Sequence, residues 1–230
     1  MRLVFLHALP FGGEMWADEV CHFGPTALAP TLYDEGDSLT DWATTVLRLI
    51  GGEPCIAIGC SVGGSCALEL ARLAPDQVAG LVLVGAKAGV RPEPALRDAA
   101  IAHVQANGVD SAWQEYWHPL FAPGSSAATI DAARQLALDV ESSSLVRGLR
   151  AFHDRRDLSG FAAGWTKPLV GLSGTHDRSP TPATVEALAT GPSRRFHLVE
   201  HSGHYVNLER PTEFRSIITE SIRWITAGER

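Results

Sequence analysis

Short apolar runs alternate with longer helical patterns along this chain, and the alternation restricts the fold more than any other feature of the sequence. The runs lie at residues 3–7, 26–29, 55–59, 81–84, 169–172 and 195–199. They are rich in Val, Leu and Ile with little polar alternation, which is typical of parallel strands buried on both faces. Helical patterns at 41–50, 62–73, 182–188 and 211–225 separate or follow them. The sequence therefore predicts an α/β fold with a doubly wound, mostly parallel sheet of about six strands, with the 26–29 strand at an edge.

Residues 87–163 interrupt this alternation, because they contain helical patterns and no convincing strand. We expect a core made of residues 1–86 and 164–230, with residues 87–163 forming a helical cap or lid inserted after the fourth strand. That position places the insertion over the carboxyl ends of the strands. A lid there would shape a pocket and exclude water from it.

Charge and cysteine content narrow the range of partners. The net charge is −7 and no block of basic residues occurs, which disfavours nucleic acid and anionic membrane surfaces. The four cysteines form no CxxC pair and no zinc-type spacing with histidine, so we expect buried thiols in a reducing, cytoplasmic compartment. No apolar stretch approaches the ~20 residues of a membrane span. We expect a monomer or homodimer that acts on a small-molecule substrate with no metal and no cofactor.

Ser61 stands between Gly59 and Gly63 in a G-x-S-x-G motif. An apolar strand pattern enters the motif and a helical pattern leaves it. A strand that turns at once into a helix forces the corner residue into a strained conformation and exposes its oxygen beside the positive helix N-terminus. Taken alone, the motif is also consistent with a glycine turn that carries no chemistry.

A serine nucleophile needs a base and an orienting acid. Among nine histidines, His204 lies in a loop between the last strand and the last helix, directly after a glycine. Asp177 follows the preceding strand, so both side chains are expected at the same edge of the sheet. Asp154 and Asp157 are rival acids, but they lie in the insertion. The order Ser61, Asp177, His204 differs from that of trypsin-like and subtilisin-like proteins.

Two backbone N–H groups are expected to form an oxyanion hole. Val62 directly follows the nucleophile at a helix N-terminus. The loop after the first strand contains Leu9 and Pro10, and because proline has no N–H, Leu9 is the expected second donor.

Together these motifs resemble the α/β-hydrolase fold family, in the branch of serine esterases and lactonases, over nearly the whole chain. The resemblance rests on His7-Ala8-Leu9 with Trp16, on the elbow 59–63, on Gly174 with Asp177, and on Gly203-His204. Three departures stand out. Ala8 replaces the usual glycine, residues 31–38 only loosely follow the family's Asp-x-x-Gly-His-Gly-x-Ser segment, and the family's two N-terminal antiparallel strands are not represented.

The resemblance implies a carboxylic ester hydrolase that cleaves a small ester, thioester or lactone through an acyl-enzyme on Ser61. Similar proteins with the same triad catalyse C–C bond cleavage or elimination, as menaquinone-pathway synthases of this fold do. Those synthases carry an arginine where this chain has Ser65, which disfavours that assignment. A ligand-binding role without catalysis is a third possibility.

The insertion is expected to determine the substrate. Five of its residues repeat at helical spacing: Trp113, Tyr116, Trp117, Leu120 and Phe121. Such a stripe either packs the lid on the core or lets aromatics such as Trp113, Trp117 and Phe121 line an acyl pocket. Arg147 and Arg150 either lie on a solvated helix face or bind the carboxylate of an acidic substrate.

Overall fold

Six strands form one parallel sheet in the computed structural model of the chain, which describes residues 1–90 and 92–227. The strands are β1 (Arg2–Leu6), β2 (Ala27–Leu28), β3 (Cys55–Cys60), β4 (Val78–Val84), β5 (Leu169–Gly174) and β6 (Arg194–Val199). Their order is β2-β1-β3-β4-β5-β6, and every neighbouring pair is parallel. The prediction of a parallel α/β sheet with residues 26–29 at an edge is confirmed.

Helices connect these strands and cover the sheet. They are α1 (Ala17–Phe23), α2 (Leu39–Ile50), α3 (Val62–Leu73), α4 (Pro94–Ala112), α5 (Ala127–Leu138), α6 (Ser142–His153), α7 (Ser159–Gly164), α8 (Pro182–Leu188), α9 (Val206–Glu209) and α10 (Pro211–Ala227). Helix α2 begins where the Ser38 hydroxyl accepts the Asp41 N–H at 3.2 Å, and it ends at Gly51 in the left-handed conformation.

Two glycines within the strands show that helices pack on both faces of the sheet. A Cβ on Gly80 would lie 2.8 Å from the Ile225 side chain of α10, and one on Gly171 would lie 2.7 Å from Ala189, just after α8. Gly171 is paired with Leu83, an odd number of positions from Gly80, so the two helices lie on opposite faces. All residues of β3 and β4 are buried, which explains their unbroken apolar sequence.

Strand β2 is shorter than its apolar run predicts. It contains only two residues, because a 3₁₀ turn over Gly24–Thr26 precedes it and Pro30 follows shortly after it. Proline has no N–H to donate to a neighbouring strand. The edge strand on the β1 side of the sheet therefore pairs with β1 through only two residues.

The chain between β4 and β5 is helical wherever it is regular in residues 85–90 and 92–168. Helix α4 is kinked at Gly108, whose φ of 79° departs from helical geometry. We call this segment between β4 and β5 the excursion. Its two ends lie side by side, because the Leu158 N–H donates to the Ala88 carbonyl at 3.0 Å. The division into core and lid at 87–163 remains a prediction.

Three of the four thiols, those of Cys55, Cys60 and Cys66, are buried, whereas Cys21 is exposed, and none forms a disulfide. Burial raises the pKa of the Cys55 thiol to about 11 and moves the pKa of the Cys60 and Cys66 thiols further upward. Among the helices that the structure describes, none combines the length and apolar character that crossing a bilayer requires.

Candidate active site

Ser61 occupies the corner between β3 and α3 in a strained conformation. Its φ of 55° and ψ of −116° are rare for a residue with a side chain. The Ser61 N–H donates to the Val84 carbonyl at 2.9 Å, which ties the corner to β4. A Cβ on Gly59 would lie 2.2 Å from the Gly63 carbonyl oxygen, and one on Gly63 would lie 2.1 Å from that of Leu6. Both flanking glycines are therefore required by close backbone approach.

Asp177 and His204 form a buried pair at the same edge of the sheet. The His204 Nδ1 lies 3.0 and 3.1 Å from the two carboxylate oxygens of Asp177. The His204 side chain is 2% exposed and that of Asp177 is 0% exposed, so the contact is shielded from water. Asp177 also accepts the Ser179 N–H at 2.9 Å, which fixes the carboxylate independently of His204. A Nδ1–H held by a carboxylate leaves Nε2 of the imidazole free to accept a proton.

Gly85, directly after β4, makes room for this pair. Its φ is 52°, in the left-handed region, and a Cβ there would lie 2.9 Å from both Asp177 Oδ2 and His204 Nδ1. The Gly85 N–H donates to the Leu172 carbonyl at 2.9 Å, so the residue cannot easily move away. The sequence analysis missed this residue; a glycine directly after a buried strand, at the edge where functional groups gather, was the available signal.

The Glu209 carboxylate connects the His204 loop to the helical excursion. It accepts the Gly203 N–H at 3.0 Å and the Tyr205 N–H at 3.3 Å, on both sides of His204. It also accepts the Ala122 N–H at 2.8 Å and the Ser125 hydroxyl at 2.6 Å. A charged acceptor forms stronger hydrogen bonds than a neutral one, so Glu209 fixes the two segments to each other.

Ser61, His204 and Leu9 line one cavity of about 210 Å³. The remaining lining residues are mostly apolar or aromatic: Leu96, Ala100, Tyr116, Trp117, Leu120, Leu149, Phe152, His153, Ser179 and Tyr205. Within the described residues no hydrogen bond joins the Ser61 hydroxyl to His204, although the two face the same space. Catalytic hydrogen bonds are often long without substrate and shorten in the substrate complex.

Of the two expected oxyanion donors, Leu9 lines this cavity and Val62 directly follows Ser61. Val62 is the first residue of α3, and the first N–H groups of a helix have no acceptor within that helix. Leu9 lines the cavity, and its carbonyl accepts the buried Tyr205 hydroxyl at 3.0 Å, which fixes the loop against the residue after His204. The Leu9–Pro10 peptide bond is cis.

His7, at the end of β1, has a supporting position. Its Nε2 accepts the Leu32 N–H at 3.0 Å, and its ring packs against Tyr33 and Trp42. Complete burial lowers the pKa of His7 to about 4. The imidazole is therefore neutral at physiological pH and joins the end of β1 to the 31–38 segment.

Only part of the predicted aromatic stripe reaches the cavity. Trp117 lines it, together with its neighbours Tyr116 and Leu120. Trp113 is fully buried against Phe11 and Phe121, and Phe121 packs on Trp113 and Tyr205, so neither is among the lining residues. A wide π-type turn over Trp113–Trp117 changes the helical spacing and separates these residues.

Arg147 and Arg150 lie outside the Ser61 cavity. Arg147 donates to the Tyr33 carbonyl at 2.9 Å and pairs with Asp34. Arg150 lies 3.9 Å from Asp37. Both therefore attach α6 to the 31–38 segment, and a substrate held at Ser61 would not meet either guanidinium as they are placed here. Helical spacing alone could not indicate this, because their partners lie about 110 residues earlier in the chain.

The rival acids have other partners. Asp154 pairs with Arg97 at 2.5 Å, and Asp157 accepts the N–H groups of Ser159 and Val90. Neither contacts His204. The sequence analysis also missed Phe152, His153 and Ser179 as cavity residues. No local motif identifies them, because only the folding of the excursion brings them to Ser61.

A sequence model described as the alpha/beta hydrolase family matches residues 3–217 of the chain. Esterase Rv0045c of Mycobacterium tuberculosis is 27% identical over an alignment 252 residues long, which covers 94% of this chain and 81% of that protein.

Solved structures match the fold over nearly the whole chain. A thermophilic esterase from Thermogutta terrifontis, solved with malate bound, superposes with a TM-score of 0.89 at 22% identity, covering 98% of this chain and 90% of that one. MenH from S. aureus superposes with a TM-score of 0.86 at 17% identity, covering 98% and 94% of the two chains. At these identities the likeness concerns the fold alone.

Proposed function

The chain belongs to the alpha/beta hydrolase family, and on that premise we propose that it is a serine esterase whose nucleophile is Ser61. The observation that carries the proposal is the buried Asp177–His204 pair, which shares one cavity with a serine held at a strained strand-to-helix corner. The esterase from Mycobacterium tuberculosis that matches 94% of the chain gives the proposal independent support.

In the proposed reaction the Ser61 oxygen attacks the carbonyl carbon of an ester while His204 Nε2 accepts the serine proton. Asp177 orients the imidazole and stabilises its positive charge. The N–H groups of Leu9 and Val62 donate to the oxyanion of the tetrahedral intermediate. His204 then protonates the leaving alkoxide, and a water molecule activated by the same imidazole releases the acid from Ser61.

The cavity supports a small, uncharged substrate. It measures about 210 Å³, and among the described residues its lining contains no lysine, arginine, aspartate or glutamate; two histidines, His153 and His204, are part of it. Burial lowers the pKa of His153, which favours its neutral form. A carboxylate on the acyl group would meet no guanidinium there. We therefore propose short neutral esters, thioesters or lactones as the substrate class.

Covalent labelling with a fluorophosphonate tests the nucleophile. We expect labelling of the wild type and none of Ser61→Ala, with ester turnover reduced on the order of 10⁴–10⁶-fold in that variant. Ser143→Ala, on the exposed side of α6, is the matched control and should label like the wild type. Turnover that survives in Ser61→Ala would overturn the mechanism.

A panel of p-nitrophenyl esters tests the substrate class. Acetyl to hexanoyl esters should give higher kcat/KM than long-chain or carboxylate-bearing esters, because the cavity is small and apolar. An active serine, detected by the probe, with no turnover of any ester in the panel would instead indicate C–C cleavage or elimination by the same groups.

A further inference from the structure

A second cavity, of about 170 Å³, lies where α2 and α3 face the chain that joins α6 to α7. Ser65, Lys87 and Arg155 are among its lining residues, and it shares no lining residue with the Ser61 cavity. Helices α3 and α6 run between the two cavities. Ser61 and Ser65 face different cavities, as do the consecutive residues Ala151 and Phe152.

Arg155 brings a positive charge into this cavity without a carboxylate partner. Its guanidinium lies over the Phe152 ring at 4.2 Å from the centroid, and its Nη1 donates to the Phe152 carbonyl. Its Nε is buried and has no hydrogen-bond partner among the described residues. Desolvation lowers the pKa of Arg155 to about 10. The Nε–Nη2 edge of the guanidinium therefore lacks an acceptor among the described residues.

Lys87 adds a second cation to the same cavity. It follows Gly85 and Ala86 at the end of β4 and is half-buried. No carboxylate within residues 1–90 and 92–227 forms an ion pair with it. Burial and the Arg155 charge both lower the pKa of Lys87, so the two cations are close enough to repel each other.

The acidic residues that face this cavity are already paired. Glu69 contacts Arg72 at 2.8 Å and Arg156 at 3.4 Å, and it accepts the Thr40 hydroxyl. Asp154 is bound to Arg97, and Asp37 is near Arg150. Asp157 and Glu93 act on Arg155 and Lys87 only through longer-range attraction. Two partly desolvated cations thus lack a close counter-charge.

We propose that Ser65, Lys87 and Arg155 form a binding site for a small dianion that carries carboxylate or phosphate groups, separate from the Ser61 cavity. The free edge of Arg155 would bind two oxygens side by side, and the Lys87 ammonium would neutralise the second charge. The Ser65 hydroxyl, on α3, would donate to a further oxygen. An anion here would offset the repulsion between the cations. The site does not depend on the proposed esterase function.

Isothermal titration with inorganic phosphate and with succinate, at constant ionic strength in an amine-free buffer, tests the site. We expect saturable binding at millimolar concentration in the wild type. The dissociation constant should rise about tenfold or more in Arg155→Gln and in Lys87→Gln, because each removes one of two charges that bind the anion. The tighter of the two probes identifies the oxyanion class.

Arg134→Gln is the matched control, because it also removes one positive charge, from an exposed ion pair with Asp110. It should bind both anions like the wild type. If Arg155→Gln does not fold, Arg155→Lys keeps the charge but loses the planar edge and should still weaken binding. Failure to saturate with either anion, or equal binding by all variants, would overturn the proposal.

Discussion

Gly85 is a residue at which any side chain would collide with the candidate acid–base pair. We predict that Gly85→Ala lowers kcat for ester hydrolysis by about 100-fold, because its methyl group would displace Asp177 and His204 by a fraction of an ångström to an ångström. The φ of 52° adds strain for any residue with a side chain. Steady-state kinetics on a short p-nitrophenyl ester measures the effect.

Gly124→Ala provides the comparison for Gly85→Ala. A Cβ at Gly124 meets no atom within 4 Å, so this variant should keep wild-type kcat. Equal activity of the two alanine variants would mean that the Asp177–His204 geometry does not limit turnover.

At the residue scale, the sequence predicted the positions whose side chains carry recognisable chemistry. It missed the residues that matter only because of their tertiary contacts. Ser61, Asp177 and His204 lie where strand ends meet, and a local pattern indicates each of them. Gly85 and Ser179 carry no motif of their own. Their importance comes from contacts with Asp177 that exist only once the strands are aligned.

The Glu209 carboxylate, at the end of α9, holds the turn that precedes α5 through Ala122 and Ser125. We predict that Glu209→Gln lowers kcat about tenfold with little change in KM, because an amide replaces one acceptor oxygen with a donor that faces other donors. His204 would lose its fixed position while the cavity that binds substrate keeps its lining. A pH–rate profile should also change, since the loop holds the base.

Glu213→Gln is the matched control for Glu209→Gln. Glu213 is exposed in the first turn of α10, four residues away, and its substitution should leave kcat and the pH–rate profile unchanged. Melting temperatures separate the effects. A Glu209→Gln variant that loses stability but keeps the wild-type pH–rate profile would show that Glu209 only stabilises the fold.

At the element scale, the strands and the core helices were predictable from the sequence. Strands buried on both faces are short apolar runs, and helices that cover a sheet repeat apolar residues at helical spacing. Helix α3 has the predicted bounds, and β4 begins three residues earlier than its apolar run suggested. The excursion was predictable as helical but not in shape. The wide turn at Trp113–Trp117 separates the residues of its aromatic stripe. Arg147 and Arg150 pair with Asp34 and Asp37, which lie far away in sequence.

The stability of the whole molecule should depend on the protonation of His7. The folded protein holds this imidazole neutral down to a pKa of about 4, whereas in the unfolded chain it has the ordinary value of 6.5. Between these values only the unfolded chain binds the proton, so stability is complete above pH 6.5 and falls as the pH drops. We predict a loss of about 3 kcal/mol from this group by pH 4.

Urea unfolding of the wild type and His7→Gln between pH 4 and 7 measures this contribution. The variant should lose less stability on acidification, while His22→Gln, at an exposed position, should follow the wild type. Burial raises the pKa of Glu19 to about 7, which has the opposite effect over the same range, so the difference between variants is the quantity to compare. Parallel curves for all three proteins would contradict the prediction.

The hydrogen bond between Ala88 and Leu158 has a consequence for how this architecture can diversify. Because the excursion leaves and returns at one point, residues 89–157 resemble an interchangeable cassette, whose replacement would leave the strand order of the sheet untouched. A cassette from a relative, joined at these two residues, would meet the same Ser61, Asp177 and His204. Recombination at this junction would thus change the lining of the Ser61 cavity while Ser61, Asp177 and His204 keep their places at the strand ends.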